Sequence, residues 1–325
     1  MDTVTGKELG RLQLPSGQPF LQSVSADGAR GIVVIGKETF VYDLPRRRLT
    51  AEPRFTHVSP DGHWLAALQD ATHAVVRPFD GGREHIITPG AEILGLFFSP
   101  RSDLLMIWMR DSIAAHEITS GRLRGRANAC FAQISPDEQW LVVADCLGIN
   151  GSPPALRLVS LTGTKPSVGF SSYTFSPGLP AHQDLSFTFS RDSRLLATAV
   201  EGERVCIWSV PDGKLLQRLP VRAAATSPAF DADGGRVAVI DEATIRVFDA
   251  RHGSLLGIFA SYGKQFCATH FIGDGDQLMA VTCLANTPHA IAPLPSWWRT
   301  DVPVWNTARE RRPPEEIRRL ADSVP

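Results

Sequence analysis

A short pattern recurs seven times along the chain, and it limits the fold more than any other feature. Each copy is an apolar segment that ends in a turn rich in Ser, Asp and Gly, as in LQSVSADG (21–28) and FTHVSPDG (55–62). The equivalent positions are Ser25, Ser59, Ser99, Ser135, Ser190, Asp231 and Ile272. They are separated by 34, 40, 36, 55, 41 and 41 residues. A repeat of this length indicates supersecondary units that bury their apolar faces against their neighbours.

Each repeat contains further short apolar runs after the turn. A second run such as WLVVADC (140–146) is followed by a third such as RVCIWSV (204–210) and by a more polar fourth such as PDGKLLQRL (211–219). These runs lack the 3.6-residue period of helices and are bounded by turns, which predicts strands. Four antiparallel strands in about 40 residues is typical of one propeller blade. We therefore predict an all-β, seven-bladed β-propeller.

The same residues carry a family resemblance. The chain resembles the WD-repeat β-propellers in its SPDG-like turns and in the residues that end its third strands. Those residues are Trp208, Trp305, and the pairs Tyr42-Asp43 and Phe248-Asp249. The chain departs from the family in having no Gly-His dipeptide ahead of the first strands. The resemblance implies a divergent, bacterial-type member that acts in protein–protein interaction.

Both chain ends contribute to the predicted architecture. The N-terminus begins in mid-repeat, so we expect residues 7–14 to supply the outer strand of the seventh blade and close the ring. The tail, 313–325, starts with prolines and acidic residues and continues with apolar residues at helical spacing, which predicts a short amphipathic helix. The expected domains are thus a propeller over 1–312 and a helical tail over 313–325. The mid-repeat start also suggests a domain of a longer protein.

Composition excludes several classes. The 33 Lys and Arg residues nearly balance the 34 Asp and Glu residues, which argues against nucleic acid as a partner of the whole surface. No apolar run reaches the roughly 18 residues of a membrane helix, and the N-terminus lacks the apolar core of a signal peptide. We expect a cytoplasmic protein, monomeric as an isolated domain. Five scattered cysteines without metal-ligand spacing are interpreted as buried thiols.

No catalytic or metal-binding motif is present. The nine histidines occupy unrelated repeat positions, and no Ser nucleophile, zinc or phosphate-binding motif occurs. Asp and Gly in the repeated turns are what tight turns require. The sequence therefore predicts no catalytic residue, no metal and no cofactor.

Three long connections suggest a binding face. In a propeller the first-to-second and third-to-fourth turns share one face, and the remaining connections share the other. Segments 146–155, 171–183 and 284–300 all lengthen that second face, and loops on a rigid scaffold commonly carry binding. The predicted partner-binding residues are Trp297, Trp298, Arg299, Tyr173, Phe175 and His182. The alternative for the two tryptophans is that they plug the central channel.

Charged residues gather on both faces. Acidic residues in short turns of the second face are interpreted as solvated turn residues; they are Glu38, Asp70, Asp111, Glu201, Glu203, Asp241 and Glu242. On the opposite face, two arginine triplets fall in neighbouring blades of a closed ring and form a candidate anion patch. They are Arg46, Arg47 and Arg48, and Arg309, Arg311 and Arg312.

These observations predict a non-catalytic scaffold or sensor module that presents one propeller face to a protein partner. Two alternatives stay open at this point. One is an enzyme of hydrolase or dehydrogenase type with its site at the channel mouth. The other is the regulatory propeller of a multidomain kinase or protease.

Overall fold

The computed structural model describes residues 13–145, 156–163, 167–170, 185–200, 204–221, 226–241, 244–260, 265–272, 277–283 and 304–306. Within these residues the chain forms β-strands joined by turns and contains no helix. No helix of the described residues could therefore span a membrane.

The strands form successive antiparallel sheets in chain order. The first sheet contains β1 (Pro19–Val24), β2 (Arg30–Ile35), β3 (Glu38–Asp43) and β4 (Arg48–Ala51). The second contains β5 (His57–Val58), β6 (Trp64–Leu68), β7 (Ala74–Pro78) and β8 (His85–Ile87). The third contains β9 (Ile93–Phe98), β10 (Leu104–Met109), β11 (Ser112–Glu117) and β12 (Leu123–Asn128).

The later sheets repeat this order. The fourth contains β13 (Phe131–Ile134), β14 (Trp140–Ala144), β15 (Leu156–Ser160) and β16 (Val168–Gly169). The fifth contains β17 (Leu185–Phe189), β18 (Leu195–Val200), β19 (Cys206–Ser209) and β20 (Leu215–Arg218). The sixth contains β21 (Thr226–Phe230), β22 (Arg236–Asp241), β23 (Thr244–Asp249) and β24 (Leu255–Ala260), and the seventh contains β25 (Gln265–Ile272), β26 (Gln277–Cys283) and β27 (Val304–Asn306).

The predicted all-β propeller class is confirmed. Six sheets have four strands each in sequence order, and each of the seven repeats corresponds to one sheet. First strands of successive sheets contact each other, as β1 does with β5 and β17 with β21, so they form the inner side of the array. The seventh sheet has three strands among the described residues. Residues 7–12 of the predicted closing strand and the predicted helix at 313–325 lie outside the described residues, so ring closure and the domain boundaries remain predictions.

The core lies between neighbouring sheets. The middle strands are apolar on both faces: all six residues of β22 are buried, which matches a strand covered on both sides. A separate apolar cluster fills each of the six seams from the first sheet to the seventh, such as the one that joins Trp140 and Phe170 of the fourth repeat to Trp208 of the fifth. Fully burying one such large apolar side chain contributes about 2–3 kcal/mol, so the seams contribute strongly to stability.

The repeated Ser/Asp turn is held by the same hydrogen bonds in six sheets. In the fourth repeat the Ser135 amide donates to the Trp140 carbonyl (2.8 Å), and the Trp140 amide donates back to Ser135 Oγ (3.0 Å). In four of the six turns the Ser Oγ also donates to an Asp two residues later, as Ser135 Oγ does to Asp137 Oδ1 (2.5 Å). The residue at this position is buried in every case: Ser25, Ser59, Ser99, Ser135, Ser190 and Asp231. The side chain thus satisfies a backbone donor that water cannot reach.

The fourth residue of each turn has a left-handed backbone, and it also joins neighbouring sheets. It is Gly28, Gly62 or Gly234 in three repeats and Ser102, Glu138 or Ser193 in the other three, all with positive φ. Where a side chain is present, it accepts a backbone amide from the preceding sheet. These bonds are Asp61 N to Ser102 Oγ (3.1 Å), Arg101 N to Glu138 Oε1 (2.7 Å) and Asp137 N to Ser193 Oγ (2.9 Å).

A glycine at this position makes room for a different link. Arg30 Nη1 of the first sheet donates to the Gly62 carbonyl (2.8 Å), and a Cβ on Gly62 would lie 3.1 Å from Arg30 Cδ. From the first sheet to the fifth, the turns of successive sheets are therefore tied together by one of two alternative contacts.

A further repeated bond defines one face of the molecule. In six sheets the residue after the third strand donates its amide to the carbonyl at the end of the first-to-second turn, as Leu44 N does to Ala29 O (2.8 Å) and Val210 N to Arg194 O (2.8 Å). The two turns of one sheet therefore lie side by side, as predicted. We call this side the turn face and the opposite side, which carries the second-to-third turns and the links between sheets, the loop face.

We expect Ser135→Ala to lower the free energy of unfolding by about 1–3 kcal/mol, because the buried Trp140 amide then has no acceptor. Chemical denaturation measures the effect. The control is Ser254→Ala, an exposed serine of a third-to-fourth turn, which should change stability by less than about 0.5 kcal/mol. Equal effects of the two substitutions would contradict the role of the turn.

Substitutions at Ser193 distinguish two properties of this turn position: the hydrogen bond to the preceding sheet and the left-handed backbone. Ser193→Ala removes the bond from Asp137 but keeps a Cβ at a φ of 60°. Ser193→Gly removes the same bond and relieves the strain, which is about 1 kcal/mol. We expect the glycine variant to be more stable than the alanine variant by that amount, with both at or below the wild type. An alanine variant as stable as the wild type would show that the link between the sheets contributes nothing.

Candidate functional site

All three long connections leave the loop face. One joins Ala144 of β14 to Leu156 of β15, one joins β16 to β17, and one joins Cys283 of β26 to Val304 of β27. Second-to-third connections elsewhere are short; β2 and β3, for example, are separated by Gly36 and Lys37. Because a strand end fixes where its connection starts, the extra chain length is concentrated on this face.

Every residue predicted to bind a partner falls within these connections. The six residues Trp297, Trp298, Arg299, Tyr173, Phe175 and His182 lie outside the described residues, as does the second arginine triplet, Arg309, Arg311 and Arg312. Their contacts with a partner remain predictions. What the structure describes is the framework from which they extend.

The base of the 146–155 connection is firmly held. Arg157 on β15 bonds Asp145 through Nε (3.0 Å) and donates from Nη2 to the Asn128 carbonyl (3.2 Å) of β12. The Cys130 amide donates to the Ala144 carbonyl (3.0 Å). These contacts link the ends of three strands at the point where the connection begins.

Cys130 corrects one sequence interpretation. The five cysteines were interpreted as buried thiols, and Cys206 is indeed free and buried. Cys130, however, is disulfide-bonded. Scattered spacing did not suggest a pair, because a disulfide requires two cysteines that are close in space rather than a motif in the sequence. Disulfides are rare in cytosolic proteins, so this bond does not favour the expected cytoplasmic location.

The acidic residues of the loop face, all predicted to be solvated, differ in exposure and in their contacts. Glu38 and Asp111 are exposed. Asp70 accepts the Thr72 amide (2.8 Å) and contacts His73 Nδ1 (2.8 Å), and these two bonds lower the pKa of Asp70 to about 2. Asp241 is not a solvated turn residue: it is buried and lies 2.9 Å from Arg246 Nε. Glu201, Glu203 and Glu242 lie outside the described residues.

The arginine triplet of the turn face is only partly available to an anion. Arg46 is bound by Asp80 of the second sheet and lies 3.3 Å from Asp43. These carboxylates raise the pKa of the Arg46 guanidinium, with Asp80 as the main cause. Arg48 donates from Nε to Thr50 Oγ1 (3.0 Å), and Arg47 is exposed at a φ of 49°.

Arg46 and Arg48 border a cleft between the first and second sheets. Its lining also includes Asp80, Arg77 and Glu52, which the sequence analysis did not select. The sequence did contain a signal for Asp80. The Phe79-Asp80 pair stands at the end of the third apolar run of its repeat, as Tyr42-Asp43 and Phe248-Asp249 do in theirs. Arg77 and Glu52 could not be found in this way, because their contact depends on how two sheets pack.

The described residues contain no group of three or more His, Cys, Asp or Glu side chains that could hold a metal ion. Among the histidines, His57 on the inner strand β5 has its pKa lowered by burial, and Thr56 Oγ1 lies 2.8 Å from its Nδ1. His116 is buried within the third sheet, where its Nδ1 lies 3.0 Å from the Gly121 carbonyl oxygen. Each ring thus contacts a group of its own sheet through Nδ1, while His116 Nε2 is buried without a hydrogen-bond partner among the described residues.

Comparison with known proteins identifies the fold but no family. No protein-family model matches the chain, and no curated protein matches it. Kluyveromyces lactis Hsv2 is similar in structure, with a TM-score of 0.58, 13% identity, and coverage of 89% of this chain and 100% of that chain. Kuenenia stuttgartiensis hydrazine synthase is similar with a TM-score of 0.51, 15% identity, and coverage of 92% and 99%.

A form of KlHsv2 in which loop 6CD is replaced by a Gly-Ser linker matches equally well, with a TM-score of 0.58 and 14% identity over 89% of this chain and 100% of that one. In all, 1555 solved chains match. The chain has a β-propeller fold. The sequence identities are low and a large number of solved chains match. The similarity therefore indicates the fold and does not indicate an activity.

Thiol labelling can test whether Cys130, at the base of a loop-face connection, is disulfide-bonded. In the denatured, unreduced protein we expect iodoacetamide to label Cys206 but not Cys130, and reduction before labelling should expose Cys130. Peptide mass spectrometry measures both. Complete labelling of Cys130 without reductant would support the original interpretation of a free thiol.

Proposed function

We propose that this protein is a non-catalytic interaction module that presents its loop face to a protein partner. The observation that carries the proposal is an asymmetry between the two faces. On the turn face, short turns are tied to one another by repeated hydrogen bonds, as from Asp61 to Ser102 and from Asp137 to Ser193. On the loop face, strands from the fourth, fifth and seventh sheets lead into long connections. A fixed framework with additional chain on one side suits recognition, because the framework holds the binding loops in place.

We further propose that the chain is a divergent WD-repeat protein. Support comes from the residues that carried the resemblance. Trp208 ends a third strand, is 1% exposed, and donates from Nε1 to Thr198 Oγ1 (2.8 Å) on the neighbouring strand. Asp249 ends the next third strand and accepts the amides of Arg251 and His252 (2.8 Å each). The buried bond to a hydroxyl accounts for Trp near the end of a third strand. The bonds from two turn amides account for Asp at the same place.

The proposed anchors are Trp297, Trp298 and Arg299, with Tyr173, Phe175 and His182 beside them. Trp, Tyr and Arg are the residue types that most often dominate binding energy at protein interfaces. The connection that carries the tryptophans starts after β26 and ends at β27, and these two strands are paired in one sheet through Met279 and Val304, so both ends are anchored to the same sheet. A large aromatic pair on a loop of fixed base loses less conformational freedom on binding than the same pair on a free chain.

The non-catalytic part of the proposal has its own support. The buried polar side chains of the turns have structural partners: Ser135 holds the Trp140 amide, and Asp231 pairs with Arg236 Nε (2.7 Å). Neither is left to activate a substrate. We propose that the module binds no metal or cofactor, that its partner is a protein rather than nucleic acid or membrane, and that it is monomeric by itself. A cytoplasmic location is compatible with this role only if Cys130 is reduced there.

Replacing both Trp297 and Trp298 by Ala should weaken partner binding more than tenfold, because truncating an anchoring aromatic costs about 2 kcal/mol or more. The thermal midpoint should hardly change. The partner is first recovered from the native host with the wild-type chain and with a variant lacking residues 286–299, and the affinity of the purified partner is then measured. Arg101→Ala on the turn face is the matched surface control.

Two results would contradict the proposal. A collapse of the thermal midpoint in the double alanine variant would mean that the tryptophans plug the channel. Turnover of a substrate that is lost on mutation at the channel mouth would favour the enzyme alternative.

A further inference from the structure

The outer strand of the sixth sheet, β24, differs from the other described outer strands. It has six residues, LLGIFA, and contains neither a charged residue nor a proline. The others are protected in one of two ways: β4, β12 and β20 contain arginine, and β8 and β16 have only three and two residues. Charge and short length are what usually prevent a sheet edge from pairing with another chain. Among the described outer strands, β24 alone has neither protection.

The exposed side chains of β24 are apolar. Leu255, Leu256 and Ile258 are 45%, 54% and 54% exposed. Ile258 is paired with Arg246 and Leu255 with Phe248, and paired residues of an antiparallel ladder lie on the same side of the sheet. Phe248 packs in the seam with the fifth sheet. Leu255 and Ile258 therefore lie on the side of the fifth sheet, beyond the part of the seam that the core fills.

The outer edge of β24 is regular over most of its length. Val247 pairs with Gly257 and Phe248 with Leu255, so Leu256 is an extra residue that forms a bulge at the start of the strand. The remaining residues pair with β23 without a further shift. Among the described residues β24 is paired on one side only. Alternate N–H and C=O groups of its other side therefore point away from the sheet.

Two properties of this edge specify its occupant. A row of backbone donors and acceptors is matched by the backbone of an extended chain, as in other cases of strand addition. Apolar side chains across a ladder favour apolar partners. The position of β24 points to the source: the strand begins after a turn on the turn face and ends on the loop face, beside the seventh sheet. A protein bound at the loop face can therefore extend a segment along it.

We infer that β24 pairs with an extended segment of the protein partner, which adds a fifth strand to the sixth sheet. The segment is uncharged where it lies against Leu255 and Ile258, because a charge there would lose water without gaining a partner. This inference rests on the proposed function for the identity of the protein that supplies the segment. Strand addition itself is tested without that protein.

The test uses the whole chain and a defined probe, the acetylated and amidated heptapeptide Ser-Val-Thr-Val-Thr-Val-Ser. Binding is followed by methyl NMR and by hydrogen exchange of backbone amides. We expect the probe to shift the methyl signals of Leu255, Leu256 and Ile258 and to slow the exchange of the β24 amides that point away from β23.

Two matched peptides separate backbone pairing from side-chain contact. The first carries N-methyl groups on two consecutive central residues, one for each edge of the peptide, and so keeps every side chain but loses backbone donors. It should bind at least tenfold more weakly. The second has Thr in place of each Val, which keeps the shape and removes the apolar character, and it should bind at least fivefold more weakly.

Substitutions at Ile258 test the edge itself. Ile258→Lys and Ile258→Glu should both weaken binding of the probe at least fivefold, because charge on an edge strand opposes pairing. Since the two charges are opposite, a shared effect does not arise from Arg246 across the ladder. Ile258→Val should bind as the wild type does. The matched control is Leu123→Lys on the outer strand β12, where the leucine is 50% exposed, and it should leave binding unchanged. Thermal melts verify that each variant is folded.

The inference is overturned if the N-methylated peptide binds as well as the unmodified one, or if Ile258→Lys and Leu123→Lys have equal effects. It is also overturned if the free chain forms dimers in which the β24 amides are protected, since the occupant is then a second copy. None of these measurements involves Trp297 or Trp298, so failure here leaves the loop-face proposal to its own test.

Discussion

The buried hydrogen bond between a turn side chain and the backbone five residues later is the interaction on which the rest of the structure depends. It closes the first-to-second turn in six sheets, from Ser25 with Arg30 to Asp231 with Arg236. Each closed turn brings its fourth residue into a left-handed conformation, and in four sheets this residue lies against the turn of the preceding sheet. The same local interaction therefore sets the shape of one sheet and its attachment to its neighbour. Loss of the side chain would leave a buried backbone donor unpaired, which is more costly than losing an exposed bond.

This arrangement explains the difference between the two faces. Turns that form contacts with both neighbours cannot change length without breaking the link between sheets. The loop face has backbone bonds within sheets and one between sheets, from Ile93 N to the Ala71 carbonyl (2.7 Å), but among the described residues it lacks the repeated turn-to-turn bonds of the turn face, and so extra chain can be accommodated there. The base of the 146–155 connection is nevertheless held by Arg157, Asp145 and the strand ends near Cys130. Binding segments on a fixed base are what the proposed function requires.

Sequence reasoning was most successful where a structural feature depends on local residues. The turn serines, the strands of each repeat and the shared face of two turns all follow from patterns within about 40 residues. It was less successful where a feature depends on packing between repeats. Asp241 was interpreted as a solvated turn residue, yet it is buried beside Arg246. The disulfide of Cys130 and the contact of Arg77 with Glu52 depend on closeness in space that spacing alone does not predict.

Amide hydrogen exchange tests the central claim about the turns most directly. The amides that donate to the turn side chains are those of Arg30, Trp64, Leu104, Trp140, Leu195 and Arg236. If these bonds hold the sheets together, all six amides exchange only by global unfolding, at similarly slow rates that track denaturant stability. Fast exchange at several of them, in a protein whose middle strands stay protected, would show that the turns open independently and that the apolar seams alone maintain the fold.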